Sequence, residues 1–136
     1  MIVQPDYAAR ARDLVGCAFR PQGRDARFGL DCVGLTIAVY EIPDEYRRDY
    51  RLAGNHRREL HNSLQNRFRA ITRRKARPGD LMLWSPSPDQ MHLGVWTGGS
   101  FVHADAGIRK IVETPGTPSW RLLRVYRKRT RQRRNV

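Results

Sequence analysis

Cysteine is scarce in this chain, with Cys17 and Cys32 the two present. That excludes a disulfide framework of the kind that holds small secreted domains together. No apolar run reaches the roughly 20 residues that a helix needs to cross a bilayer, and the first residues, MIVQPDYAAR, lack the basic-then-apolar order of a secretory signal. These absences predict cytoplasmic synthesis without a cleaved signal and no membrane span. Acidic residues are also few, 13 against 26 Lys and Arg, for a formal net charge of +13. Such a surface attracts anionic polymers, nucleic acid and acidic proteins. A nucleic-acid-binding basic module is one reading of that charge. Against it, the chain has no zinc-finger spacing, no RNA-binding aromatic motif and no basic heptad region.

What is present begins with the stretch LDCVGLTIAVY, Leu30 to Tyr40, apolar on nearly every side and so read as a buried helix. Asp31 is a preferred N-cap type, which puts Cys32 in the first turn. Unpaired backbone N–H groups and the helix dipole favour a thiolate there, and a neighbouring imidazolium would lower the thiol pKa further. Gly34 allows another backbone to approach closely. The competing reading is a core cysteine in an apolar helix.

Two histidines weigh against that blander reading. The segments MHLGVW and SFVHAD flank Gly98-Gly99, a dipeptide suited to a hairpin turn. Pairing Thr97 with Ser100 sets Gly94 opposite His103 and His92 opposite Asp105. His92 and His103 then share one face as diagonal neighbours, with Gly94 leaving room for the His103 ring to lean toward His92. A one-residue slip would send them to opposite faces. A cysteine at a helix start with two histidines on one face is the layout of a thiol nucleophile, its base and an orienting group. His103 and Asp105 are both candidates for the orienting role. A metal site drawn from Cys32, His92, His103, His56 and His61 is disfavoured, because His56 and His61 lack the spacing that aligns ligands on one helix face. No metal and no cofactor is expected.

The remaining elements follow from pattern. Asp6 to Val15 reads as a helix with Ala8, Ala11, Leu14 and Val15 inward, and Gly16 to Gly29 as a loop. Residues 43–75 form a basic insert whose second half places Leu60, Leu64, Phe68 and Ile71 at helical spacing. Candidate strands are Asp80 to Trp84, Met91 to Trp96, Ser100 to Asp105, Ile108 to Glu113 and Leu122 to Tyr126. Helices followed by an antiparallel sheet predict an α+β fold. The expected organisation is one domain over residues 1–126 and a basic, flexible tail over 127–136. Cys17 is read as a buried, inert thiol.

The motifs Asp31-Cys32-Val33-Gly34-Leu35, Arg77-Pro78-Gly79-Asp80-Leu81, His92-Leu93-Gly94-Val95 and Phe101-Val102-His103-Ala104, in this order, resemble the NlpC family of cell-wall cysteine peptidases. The resemblance runs from about Ala8 to Tyr126. It implies a papain-like core with N-terminal helices packed on the sheet, and it assigns Cys32 as nucleophile, His92 as general base and His103 as orienter. It also implies peptidoglycan stem peptides as substrate, cut between D-glutamate and a diamino acid. Two departures stand out. The family commonly carries a tyrosine at the position of Phe19, an active-site neighbour, and serine at that of Val33. Loss of the tyrosine hydroxyl opens the alternative of a catalytically silent structural or assembly protein. Arg20 and Arg24 are candidates to pair with stem carboxylates. The segment GCAFRPQGR and the insert before RPGDL resemble the phage, prophage and gene-transfer-agent branch. That branch implies tail proteins as partners and a virion-associated enzyme acting in the periplasm or cell wall.

Overall fold

A computed structural model describes residues 5–43 and 57–129 of the chain, with side chains from residue 60 onward in the second stretch. Helix α1 (Tyr7–Asp13) starts where the Asp6 carboxylate accepts from the Ala9 N–H at 3.0 Å, satisfying one of its orphan donors. Ala8 and Ala11 are buried, but Val15 is 43% exposed. The expected helix stops early because the chain turns at Gly16, whose φ of +97° is left-handed.

The segment expected to be a plain loop contains a short hairpin, β1 (Arg24–Asp25) with β2 (Gly29–Leu30). It delivers the chain into α2 (Cys32–Tyr40). Val33, Leu35, Val39 and Tyr40 are buried, and the helix is enclosed by α1, the hairpin and the central sheet. Leu35 has no exposed surface, and burying such a side chain contributes about 1.5–3 kcal/mol. A Cβ on Gly34 would overlap the Gly23 carbonyl oxygen, so the close approach expected at this glycine is the hairpin backbone. Glu41 ends α2 in a left-handed conformation just before Pro43.

The second half of the insert corrects the sequence reading. A single helix carrying Leu60, Leu64, Phe68 and Ile71 is replaced by helix α3 (Arg57–Gln65) and strand β3 (Phe68–Ile71). Leu60, Leu64 and Phe68 are buried, yet Phe68 reaches the core from a strand. The partner decides this: β3 hydrogen-bonds along β8, from Phe68 opposite Lys128 to Ile71 opposite Val125, a ladder unavailable to an isolated segment. His61, set aside above as a metal ligand, is half-buried and bonded to the Tyr126 hydroxyl at 2.7 Å. His56 lies outside the described residues.

Strands β3, β4 (Leu81–Ser85), β5 (His92–Trp96), β6 (Ser100–Asp105), β7 (Lys110–Pro115) and β8 (Arg121–Lys128) form an antiparallel sheet in the order β3-β8-β4-β5-β6-β7. The architecture is α+β, as expected. Strand β7 begins two residues later than predicted, because Asp105 accepts from the Gly107 and Ile108 N–H groups and holds a turn there. Strand β8 runs two residues past the predicted domain end. Arg127, assigned by sequence to the tail, instead forms a bidentate ion pair with buried Asp80 at 2.9 and 3.0 Å. The two sheet faces differ. Leu81, Leu83, Leu93, Val95, Val102 and Ile111 share the main core with α2, whereas Met82, Trp84, Phe101 and Val125 form a second, aromatic cluster. Among the described residues no helix is long and apolar enough to cross a membrane.

Candidate active site

Asp31 organises the start of α2. Its Oδ1 accepts from the Gly34 N–H at 2.8 Å and from Arg24 Nη1 at 3.0 Å, and its Oδ2 accepts from the Gln22 N–H at 3.0 Å. Arg24, expected as a substrate-binding residue, is thereby engaged with the helix cap, its side chain 8% exposed. Arg20 is exposed and does not line the site cavity.

Cys32 is the first helical residue and 4% exposed. The backbone of Leu93, the residue after His92, lies near enough to the sulfur to favour its ionised form, as does the backbone of Cys32 itself. Cys32, His92 and His103 line one open cavity of about 470 Å³, together with Phe19, Gln22 and Trp120. That volume lies within the ordinary range for ligand sites.

The hairpin has the expected register, with Gly94 opposite His103. His92 Nε2 and His103 Nδ1 are 2.9 Å apart, and His103 Nε2 is 3.0 Å from Thr114 Oγ1. One set of tautomers leaves His92 able to accept a proton at Nδ1. His92 donates from Nε2–H to His103 Nδ1, and His103 donates from Nε2–H to the Thr114 hydroxyl oxygen. Asp105, the alternative orienter, has its Oδ1 occupied by the turn that follows β6. The space above Gly94 is taken by Trp84, whose ring a Cβ there would meet, so this glycine makes room for indole where the sequence reading expected the His103 imidazole.

Aromatic rings enclose the imidazoles. Trp84 stacks on His92 at 6.4 Å between centroids, Trp120 stands edge-on to His92 at 5.2 Å, and Phe101 lies 4.5 Å from His103. The consequence is electrostatic. Burial first, and the neighbouring His103 second, press the His92 pKa down to about 4. Burial likewise lowers that of His103, opposed by the Asp105 charge. Burial pushes the Cys32 thiol up to about 12, reinforced by Asp31, while the Leu93 and Cys32 backbone bonds and Arg24 act in the opposite direction. Burial thus acts against the thiolate that the helix start was expected to favour. The lowered His92 pKa means that little imidazolium charge stands beside the sulfur near neutral pH. Both shifts favour the neutral thiol and the neutral imidazole.

The fold around this site is shared with solved NlpC/p60 domains. The NlpC/p60 domain of the peptidoglycan hydrolase SagA matches 81% of this chain and 86% of its own, at 22% identity and a TM-score of 0.57. The chain has the NlpC/p60 fold. NlpC1 from Trichomonas vaginalis matches 94% of it at 18% identity and a TM-score of 0.66, and the chain spans 47% of that protein. RipD from Mycobacterium tuberculosis, described as a non-catalytic NlpC/p60 domain protein adapted to peptidoglycan binding, matches 91% of the chain and 97% of its own, at 15% identity and a TM-score of 0.57. No family model and no curated protein matches the sequence.

Thr114 and Trp120 went unnoticed in the sequence. Thr114 had a usable signal: the candidate strand Ile108 to Glu113, continued by one residue, sets Thr114 opposite Phe101, diagonal to His103. Trp120 had none, because it enters the site from the turn before β8. Phe19 turns its apolar ring to the cavity where the family resemblance expects a phenol. Cys17 is half-buried, more open than predicted.

Proposed function

We propose that this protein is a cysteine hydrolase of peptidoglycan stem peptides. The observation that carries the reading is the meeting, in one cavity, of the Cys32 thiol and the bonded His92–His103 pair. Cys32 gives its proton to His92 Nδ1 as the sulfur attacks the amide carbonyl. Transfer within the pair conserves charge, and the resulting thiolate and imidazolium attract each other. The tetrahedral oxyanion is met by backbone N–H groups at the start of α2. The C–N bond then breaks, His92 returns the proton to the leaving amine, and a thioester remains. Water attacks it with His92 again taking a proton, the S–C bond breaks, and the thiol is restored. His103 keeps His92 in the tautomer this cycle needs, and the bond implied by the motifs is that between D-glutamate and a diamino acid. The net charge of +13 favours an anionic wall polymer. The resemblance of GCAFRPQGR to the tail-borne branch supports delivery by a phage-like tail particle.

Mass spectrometry of purified muropeptides incubated with wild type and Cys32→Ala tests this reading. Products formed by the wild type alone establish the hydrolase and name the bond. A second reading, a peptidoglycan-binding protein without catalysis, is favoured by Phe19 and by the strongly protonated thiol. Phe19→Tyr separates the two. If the missing hydroxyl limits an active enzyme, its return raises turnover by about tenfold or more. No products from either protein, both shown to be folded, establishes the silent reading.

A further inference from the structure

A second cavity, of about 560 Å³, opens on the aromatic face of the sheet. Its walls include Trp84, Trp96 and Trp120, with Arg73 and Arg121 exposed at its rim. Trp120 lines both this cavity and the catalytic one, its ring 5.2 Å from that of His92 and 6.1 Å from that of Trp84. Among the described residues no acidic residue lines this second cavity, whereas the catalytic cavity contains Asp31 and Asp105 and, among the same residues, no arginine or lysine. The positive charge therefore lies beside the reacting centre, not in it.

We propose that this tryptophan–arginine groove binds the glycan portion of the substrate, an amino-sugar ring with the first carboxylate of its stem beyond it. Indole faces bury the apolar C–H face of a pyranose while leaving its hydroxyls in water, and they do so with little side-chain entropy to lose. Trp96 and Trp120, each half-buried, present such surfaces, and Met82 and Leu122 extend them. Arg121 and Arg73 supply planar forks for a carboxylate. Arg73 already reaches across to the Leu122 carbonyl at 3.4 Å. The size fits, since cavities of 300–1,000 Å³ take ligands of this class. The inference rests on the proposed stem-peptide reading for the identity of the polymer. A stem held at Cys32 leads back toward its sugar, and Trp120, which lines both cavities, places the groove next to that site.

Tryptophan fluorescence titration of Cys32→Ala protein decides it, because no turnover occurs and binding is read whether or not the wild type is a peptidase. The ligands are a disaccharide-bearing muropeptide and the same peptide without sugar. The expected result is about tenfold tighter binding of the sugar-bearing ligand, the effect of one well-packed aromatic anchor. Adding Trp96→Ala removes that advantage, and Arg121→Glu, a surface change unlinked to folding of the core, reduces it. Equal affinity for both ligands, or an advantage that survives both substitutions, overturns the proposal. If the muropeptide cleavage assay is blank while the sugar preference stands, the peptidase reading fails and the glycan site remains.

Discussion

The raised thiol pKa of Cys32 predicts a specific alkylation profile. At pH 7 a thiol with a pKa of about 12 is ionised in roughly one molecule in 10⁵, against roughly one in 30 for a free cysteine of pKa about 8.5. The more basic thiolate is the better nucleophile, and a Brønsted slope of about 0.4–0.5 over about 3.5 pKa units recovers roughly 40-fold. The net expectation is modification roughly a hundredfold slower than that of an unperturbed thiol at pH 7. Burial of the sulfur slows reaction further at every pH without moving the inflection. The assay is iodoacetamide labelling of Cys17→Ser protein between pH 5 and 10.5, followed by mass spectrometry of the Cys32 peptide. Log rate should climb with unit slope to the top of the range and show no plateau. A plateau with an apparent pKa below about 8 would refute the electrostatic reasoning. It would mean that the α2 dipole and the histidines stabilise a preformed thiolate despite burial.

Three further outcomes follow from named contacts. Thr114→Val removes the acceptor for His103 Nε2 and is expected to lower kcat/KM for muropeptides about tenfold, within the range of a lost hydrogen bond to a group that gains charge. Thr114→Ser should restore most of it, whereas a purely structural role would show in the melting temperature and not be rescued. Asp80→Ala strands the Arg127 guanidinium, whose side chain is 11% exposed. The expected loss is about 3–5 kcal/mol, read from the urea midpoint, and Arg127→Leu in the same chain should recover part of it. The third outcome is a pH dependence of stability. The folded His92 pKa of about 4 lies below its ordinary value of 6.5, so the unfolded chain binds the proton more readily between those values. Its contribution is fully present above pH 6.5 and is lost as pH falls toward 4. The size is on the order of 2–3 kcal/mol after discounting partial exposure. Denaturant midpoints across that window should flatten in His92→Phe.

The sequence by itself determined the features that depend on a few adjacent residues. Asp31 before an apolar run makes a capped helix with Cys32 at its start. Gly98-Gly99 between two alternating segments sets a hairpin in which Gly94 faces His103, and that register alone is enough to draw His92 and His103 together. The resemblance of four short motifs pointed to the fold that the solved NlpC/p60 domains share. Tertiary structure decided whatever depends on partners distant along the chain. Phe68 lies in a strand because β8 offers it a ladder, although its spacing from Leu60 and Leu64 reads as helix. Arg24 turns to Asp31 because β1 and β2 fold the hairpin back onto the cap. Thr114 and Trp120 reach the histidines from β7 and the turn before β8, more than ten residues away. The direction of the thiol pKa belongs to the same class. A dipole at a helix start is local and legible, but desolvation sums over every group packed around the sulfur, and here it is the largest influence on the thiol pKa.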